Sequence, residues 1–337
     1  MLSFRRVFGW PAFGGLGALL LLGATAVQSG ELAGHQLLVT LVRTGDTEVF
    51  VVDPDTGDAH NVTRSPSSEE RYPCWSPDGA QVAFISDRTG TPNLFVADAD
   101  GDNVRQIVKS TAVCYMPSWQ RTADGERIVF GLHGDKAEMA SVRPDGSDLV
   151  VLGEGHDPTL SPDGTTVCYT GHTDQGVSVF VMNPDGAGKR QIVPGSSSVG
   201  ATFPNWSPDS RTIVYSFPVG AALELFLIDV DGSQARQLTR LGKVCTPSAW
   251  SPDGKWVSFR LTDERYWSDK AKMEKTYAER PADKRPVWVI QPDGSAPHVI
   301  ECLRFQCAMD GSRAAWKPLP LPNSRAAHSE SEQKGDR

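Results

Sequence analysis

The chain has 337 residues and a formal net charge of −8. That length accommodates one large core or two ordinary ones. The acidic balance argues against a general nucleic-acid binder, which needs a basic surface, and 39% hydrophobic with 22% charged residues excludes a disordered or multi-span membrane chain.

The first predicted element is a targeting segment. Arg5 and Arg6 form a positive stretch, Gly14 to Gly23 an apolar one, and Ala24-Thr25-Ala26 a small-residue cleavage site. The apolar run is short for a membrane span of about 20 residues. It predicts a cleaved signal peptide over 1–26, a linker over 27–35 and a periplasmic or otherwise exported protein. Membrane contact is expected only if the segment stays uncleaved. Loss of Arg5 and Arg6 would take the charge from −8 to −10. Export permits disulfides among the six cysteines. Cys302 and Cys307 are close enough in sequence to pair across a local turn. The other four read as strand thiols, and none has zinc-type C-x-x-C spacing.

Repeats dominate the rest. Trp-Ser-Pro-Asp-Gly occurs at 75–79 and again at 250–254, with near copies at Trp206 and Leu160, a looser one at Trp119 and a truncated one at Trp316. Between these anchors the pattern is constant. An apolar strand such as Gln81 to Ser86 is followed by a second such as Asn93 to Ala97. A second Asp-Gly turn and a short third strand come next. Asp-Gly supplies the positive φ of tight hairpins and Pro ends the strand before it. Units of about 40–45 residues with four short strands are propeller blades.

Only three strands precede Trp75, and the segment around Trp316 supplies only a fourth. The expected fold is therefore all-β: a six-bladed β-propeller of four-stranded blades over 36–320. Its ring would be closed by pairing the C-terminal strand with the N-terminal blade. Residues 262–286 form an insertion in the last blade, and 321–337 read as a disordered tail.

These motifs resemble the repeats of the TolB propeller family, periplasmic components of the bacterial Tol–Pal envelope system. The resemblance covers roughly residues 36–320. It implies a propeller and, by family habit, protein interaction. Similar blades also form carbohydrate lyases of the oligogalacturonate type. The family's type member carries an α/β domain before its propeller, whereas here the first strand follows almost directly after the signal.

Residues just before each anchor should rim one face: Arg71, Tyr72, Tyr115, Met116, His156, Asp157, Thr202, Phe203 and Thr246. They differ from unit to unit while the frame stays constant, as in a binding rim or in any set of variable loops. His133-Gly134-Asp135 and His172-Thr173-Asp174 fall at matching loops of adjacent units, with His156 between them. Three imidazoles could hold a divalent metal, or one could act as a general base; solvent-exposed loop histidines are the competing reading. In the insertion, Arg265, Tyr266 and Trp267 suit a protein interface. Gly-rich phosphate loops and a nucleophile elbow are missing. The sequence thus reads as a non-enzymatic, cofactor-free, monomeric interaction module with a protein partner in the bacterial cell envelope and no nucleic-acid partner. The alternative is a carbohydrate-active lyase that uses His133, His156 and His172 with a divalent metal.

Overall fold

A computed structural model describes residues 30–42, 46–195, 200–262, 286–303 and 312–319. The signal segment, most of the 262–286 insertion (with Arg265, Tyr266 and Trp267), Cys307 and the tail lie outside them.

The first unit contributes β1 (Leu37–Val42), β2 (Thr47–Val52) and β3 (Ala59–Asn61). The second contributes β4 (Glu70–Trp75), β5 (Gln81–Ser86), β6 (Asn93–Asp98) and β7 (Arg105–Gln106). The third has β8 (Val113–Thr122), β9 (Gly125–His133), β10 (Ala137–Val142) and β11 (Val150–Glu154). The fourth has β12 (His156–Leu160), β13 (Val167–Thr173), β14 (Gly176–Met182) and β15 (Arg190–Val193). The fifth has β16 (Thr202–Trp206), β17 (Thr212–Val219), β18 (Ala222–Asp229) and β19 (Arg236–Gln237). The last has β20 (Val244–Trp250), β21 (Val257–Thr262), β22 (Val287–Ile290) and β23 (His298–Val299), and β24 (Ala315–Trp316) ends the described chain. β-Branched and aromatic residues fill these strands, as a pleated, half-buried surface favours.

The sheets are blade-like and built from antiparallel pairs, but the expected ring of six four-stranded blades is corrected. Four sheets have four strands and one has eight, and no sheet closes on itself. The fifth and sixth units share a sheet because β18 and β20 meet in parallel at Leu223↔Val244. β24 does pair with β1, at Leu37↔Trp316 and Leu38↔Ala315. That ladder only completes one open sheet, in the order β24-β1-β2-β3.

What joins the sheets is apolar packing. One core lies between the first and second units (Leu38, Val49, Trp75, Phe84). Another lies between the second and third (Ile85, Val96, Trp119, Phe130). A further one packs Leu37, Val39 and Leu41 against Trp256, Val287 and Val289 of the last unit. Leu32, ahead of β1, is fully buried in that core.

The repeated motif has a structural explanation. Ser76 Oγ donates to Asp78 Oδ1 at 2.7 Å and accepts from the Gln81 N–H at 2.8 Å. Ser161, Ser207 and Ser251 donate likewise to Asp163, Asp209 and Asp253. The pair staples the hairpin shut, and the hydroxyl of Ser76 is the first cause that holds Asp78 below the usual carboxylate range. Gly164, at φ +69, lies so close to the neighbouring sheet that a Cβ would fall 1.9 Å from the Arg121 carbonyl oxygen. Only glycine fits there.

The anchoring indoles tie unit to unit. Trp206 Nε1 donates to the Thr159 carbonyl at 3.0 Å, and Trp75 Nε1 donates to that of Ala315 at 3.2 Å. Of the Cys302–Cys307 pair considered from the sequence, Cys307 lies outside the described residues. Cys302 is a free thiol, with its Sγ 3.6 Å from the Pro54 carbonyl oxygen. The expected result of Trp206→Ala is a loss of about 3–5 kcal/mol of unfolding free energy. Val219→Ala, at an exposed strand position, should stay within about 0.5 kcal/mol. Urea unfolding of both variants checks this.

Candidate functional site

The leading strands β4, β8, β12, β16 and β20 share one irregularity. Each loses register with its partner just before its anchor, between Arg71 and Cys74, Tyr115 and Ser118, His156 and Thr159, Thr202 and Asn205, and Cys245 and Ser248. A proline sits in every break: Pro73, Pro117, Pro158, Pro204 and Pro247. Proline cannot donate to a ladder, so it falls where the ladder is already open. The residue before it has positive φ in four units: Tyr72 (52°), Met116 (47°), Asp157 (51°) and Phe203 (54°). Non-glycine residues held there store about 1–3 kcal/mol each. A bulge also re-aims side chains, and here the same device is repeated with a different residue in each unit.

Thus the sequence-derived rim residues Arg71, Tyr72, Tyr115, Met116, His156, Asp157, Thr202, Phe203 and Thr246 all fall at these breaks. Met116, Asp157 and Thr246 are buried, and the others are partly buried. Two residues of the same set escaped the sequence reading. Counting back from Trp316 as from Trp75 gives Ser312 and Arg313, and Ser312 Oγ accepts the Tyr72 N–H at 2.8 Å. The signal was the Trp316 anchor itself. It was missed because this unit has Ala314 where the others have proline.

The histidines converge only in part. The rings of His156 and His172 meet edge to face at 5.3 Å between centroids, and Tyr115 Oη lies 3.2 Å from His156 Nδ1. Gly131 makes room for Tyr115, because a Cβ there would be 2.3 Å from its ring. His133 ends β9 and is exposed. Burial, then His172, then His133 hold the His156 imidazole below its ordinary value. Among the described residues no group of three His, Cys, Asp or Glu side chains is placed to hold a metal ion. The set His133, His156 and His172 is therefore not a metal centre in this structure.

Beside them, burial pushes the Asp157 carboxyl up to about 6, against the opposing pull of Arg313 and the Thr170 hydroxyl. Burial lowers Arg313, while the Asp157 charge supports it.

A cavity of about 1390 Å³ opens at the other end of the leading strands, among the Trp-Ser-Pro turns. Trp206, Trp250, Trp316, Asn205 and Thr159 line it. On its charged wall Arg127 bonds Asp124 at 2.9 Å, and it also reaches Asp148 at 2.5 Å.

A family model described as the TolB beta propeller domain matches residues 31–202. The chain belongs to the TolB β-propeller domain family. A protein TolB homolog from Chlorobium luteolum is 30% identical over 155 residues, which are 44% of this chain and 34% of that protein. The Tol-Pal system protein TolB from Wolinella succinogenes is 28% identical over 149 residues, 41% of this chain and 34% of its own length. The chain spans about a third of the length of these curated relatives. The crystal structure of TolB from Acinetobacter baumannii superposes with a TM-score of 0.62 at 17% identity, over 85% of this chain and 67% of that one. This last likeness shows the fold alone. No helix among the described residues is long and apolar enough to cross a membrane.

Two titrations follow from this geometry. His156 should titrate below the usual histidine value in NMR, and His172→Gln should move its midpoint back up by removing a neighbouring positive charge. For Asp157 the folded value exceeds the unfolded one, so the folded state holds its proton longer. Ionisation then costs stability as pH rises from about 4 to about 6, and that cost persists above it. Asp157→Asn should accordingly raise Tm more near neutral pH than at about pH 4.

Proposed function

We propose that this protein is an exported, non-enzymatic interaction module of a bacterial cell envelope. In this reading it presents the bulged ends of its leading strands to a protein partner. The observation that carries it is the repeated bulge: one rigid device holds a different side chain in every unit at one end of the sheets. Rigid frames with varied surface positions are how recognition surfaces are built. Membership of the TolB propeller family supports the reading, as does the Tol-Pal name of a relative.

On this proposal the recognition surface comprises Arg71, Tyr72, Tyr115, His156, Asp157, Thr202, Phe203 and Thr246, joined by Arg265, Tyr266 and Trp267 of the insertion. Aromatic and arginine side chains suit such a surface. The protein acts as a monomer, reaches the periplasm through the segment at 1–26, and binds no nucleic acid, consistent with its charge of −8. The lyase alternative has no metal cluster among the described residues to support it.

The test is affinity capture from envelope extracts of the source bacterium, with the full chain, an Arg71→Ala/Tyr72→Ala double variant and a chain lacking residues 262–286. The expected result is one or a few envelope proteins retained by the full chain and lost from both variants. Capture of nothing specific, or equal recovery by all three, overturns the proposal.

A further inference from the structure

Arg313 breaks the pattern of the leading strands. It takes the place held by Tyr72, Met116, Asp157 and Phe203, and it puts a guanidinium among the closely packed strands. β16 packs on β20, and β24 lies against both β20 and β4. Arg313 Nη2 donates to the Pro204 carbonyl oxygen at 3.2 Å, so the side chain reaches from the end of the chain to the bulge of β16. Its Nε is buried and meets no acceptor among the described residues. A guanidinium offers five N–H donors in a fixed fork, and a buried charge without hydrogen-bonded compensation is costly.

The orphaned atoms do not stop there. Thr202 Oγ1, two residues ahead of the Pro204 carbonyl, is buried without a partner. So is Thr246 Oγ1, on a residue only 3% exposed at the matching bulge of β20. Ser248 Oγ, two residues further along β20, is a third. Buried polar groups are normally satisfied, so unsatisfied ones at the bulges of two packed strands call for an occupant. Asp157 is near enough to support the Arg313 charge, yet no ion pair joins the two within 4 Å among the described residues. Arg313 keeps a buried Nε without an acceptor, facing the Asp157 charge without direct contact, and the neighbouring bulges supply two or three hydroxyls able to donate. Planar, bidentate acceptance from a guanidinium, together with single bonds from hydroxyls, is carboxylate recognition.

We propose that Arg313, Thr202 and Thr246 form a binding site for a carboxylate group at the bulges of β16 and β20 and just ahead of β24. Arg313 as a whole residue is partly exposed. This site stands apart from the protein-partner reading, because the carboxylate can arrive on a free small acid or on an acidic peptide. Asp157 is the like charge that opposes it, and the other groups facing Arg313 are the thiols Cys74 and Cys168.

The experiment is isothermal titration of the full chain at constant ionic strength with two probes: succinate and a capped pentapeptide containing glutamate. Sodium chloride is the control. Saturable binding of succinate is expected if the source is a small acid, and preference for the peptide if the carboxylate arrives on a protein; either supports the site. Arg313→Lys should weaken binding by about tenfold or more, as loss of hydrogen bonds to a charged group does. Thr246→Val should weaken it while leaving Tm unchanged or higher, since the hydroxyl has no partner in the free protein. Asp157→Asn should tighten it at neutral pH. No saturable binding of either probe, an equal response to chloride, or full affinity in both Arg313→Lys and Thr246→Val overturns the proposal.

Discussion

A four-stranded sheet that is apolar on both faces cannot keep either face from water by itself. Everything else here depends on that constraint. The cores lie between sheets, not within them: Phe84 of one unit belongs with Leu38 of the one before, and Phe130 with Ile85. Burial at about 25 cal/mol per Å² of apolar surface is the main favourable term, so the stability of any unit is shared with its neighbours. The indole hydrogen bonds follow the same logic. Trp206 and Trp75 each fill an inter-sheet core and place Nε1 on a carbonyl of the adjoining unit. A large apolar surface is thereby buried without leaving its one donor unsatisfied.

Packing this tight fixes where the backbone can bend. The hairpin ends are stapled by Ser–Asp pairs and closed by glycines that touch the next sheet, so variation is pushed to the opposite ends of the leading strands. There proline interrupts the ladder and a positive φ is tolerated at Tyr72, Met116, Asp157 and Phe203. Strain of this kind persists only where the surroundings over-determine the backbone. The cores between sheets provide that over-determination, and the varied side chains at the bulges are its product.

Much of the strand plan was legible in the sequence because it is written in local chemistry. The Asp-Gly turns and the β-branched runs between them marked β5 and β6 to within a residue. Sheet membership was not legible, because it rests on contacts distant in sequence. Nothing in the pattern distinguishes Leu223 and Val244 as the pair that joins two units, and nothing shows that the link between Leu37 and Trp316 ends in an open sheet. The rim residues could be read from their spacing to the anchors, but the bulge on which they sit could not, since register is a property of two strands. Arg313 was hidden for a simpler reason: Ala314 stands where the other units have proline, so the repeat was no longer visible at that point. The histidine set misled because matching loop positions place His133 and His172 on adjacent strand ends without placing three imidazoles around one point.

Electrostatics at the bulged ends then follow from the break in the repeat. At the residue just before each proline, four units place an uncharged side chain (Tyr72, Met116, Phe203 and Thr246) and one the carboxyl of Asp157, which burial pushes toward its protonated form. The segment leading into β24, which completes the sheet of the first unit, brings the guanidinium of Arg313 to the matching position, a group that does not discharge at any ordinary pH. Asp157 supports that charge once its carboxyl ionises, above about pH 6, although no ion pair within 4 Å joins the two among the described residues. His156 cannot serve as a second counter-group, because its own burial and the nearby His172 and His133 keep it neutral at neutral pH. A permanent positive charge therefore sits on a frame with little freedom to relax around it.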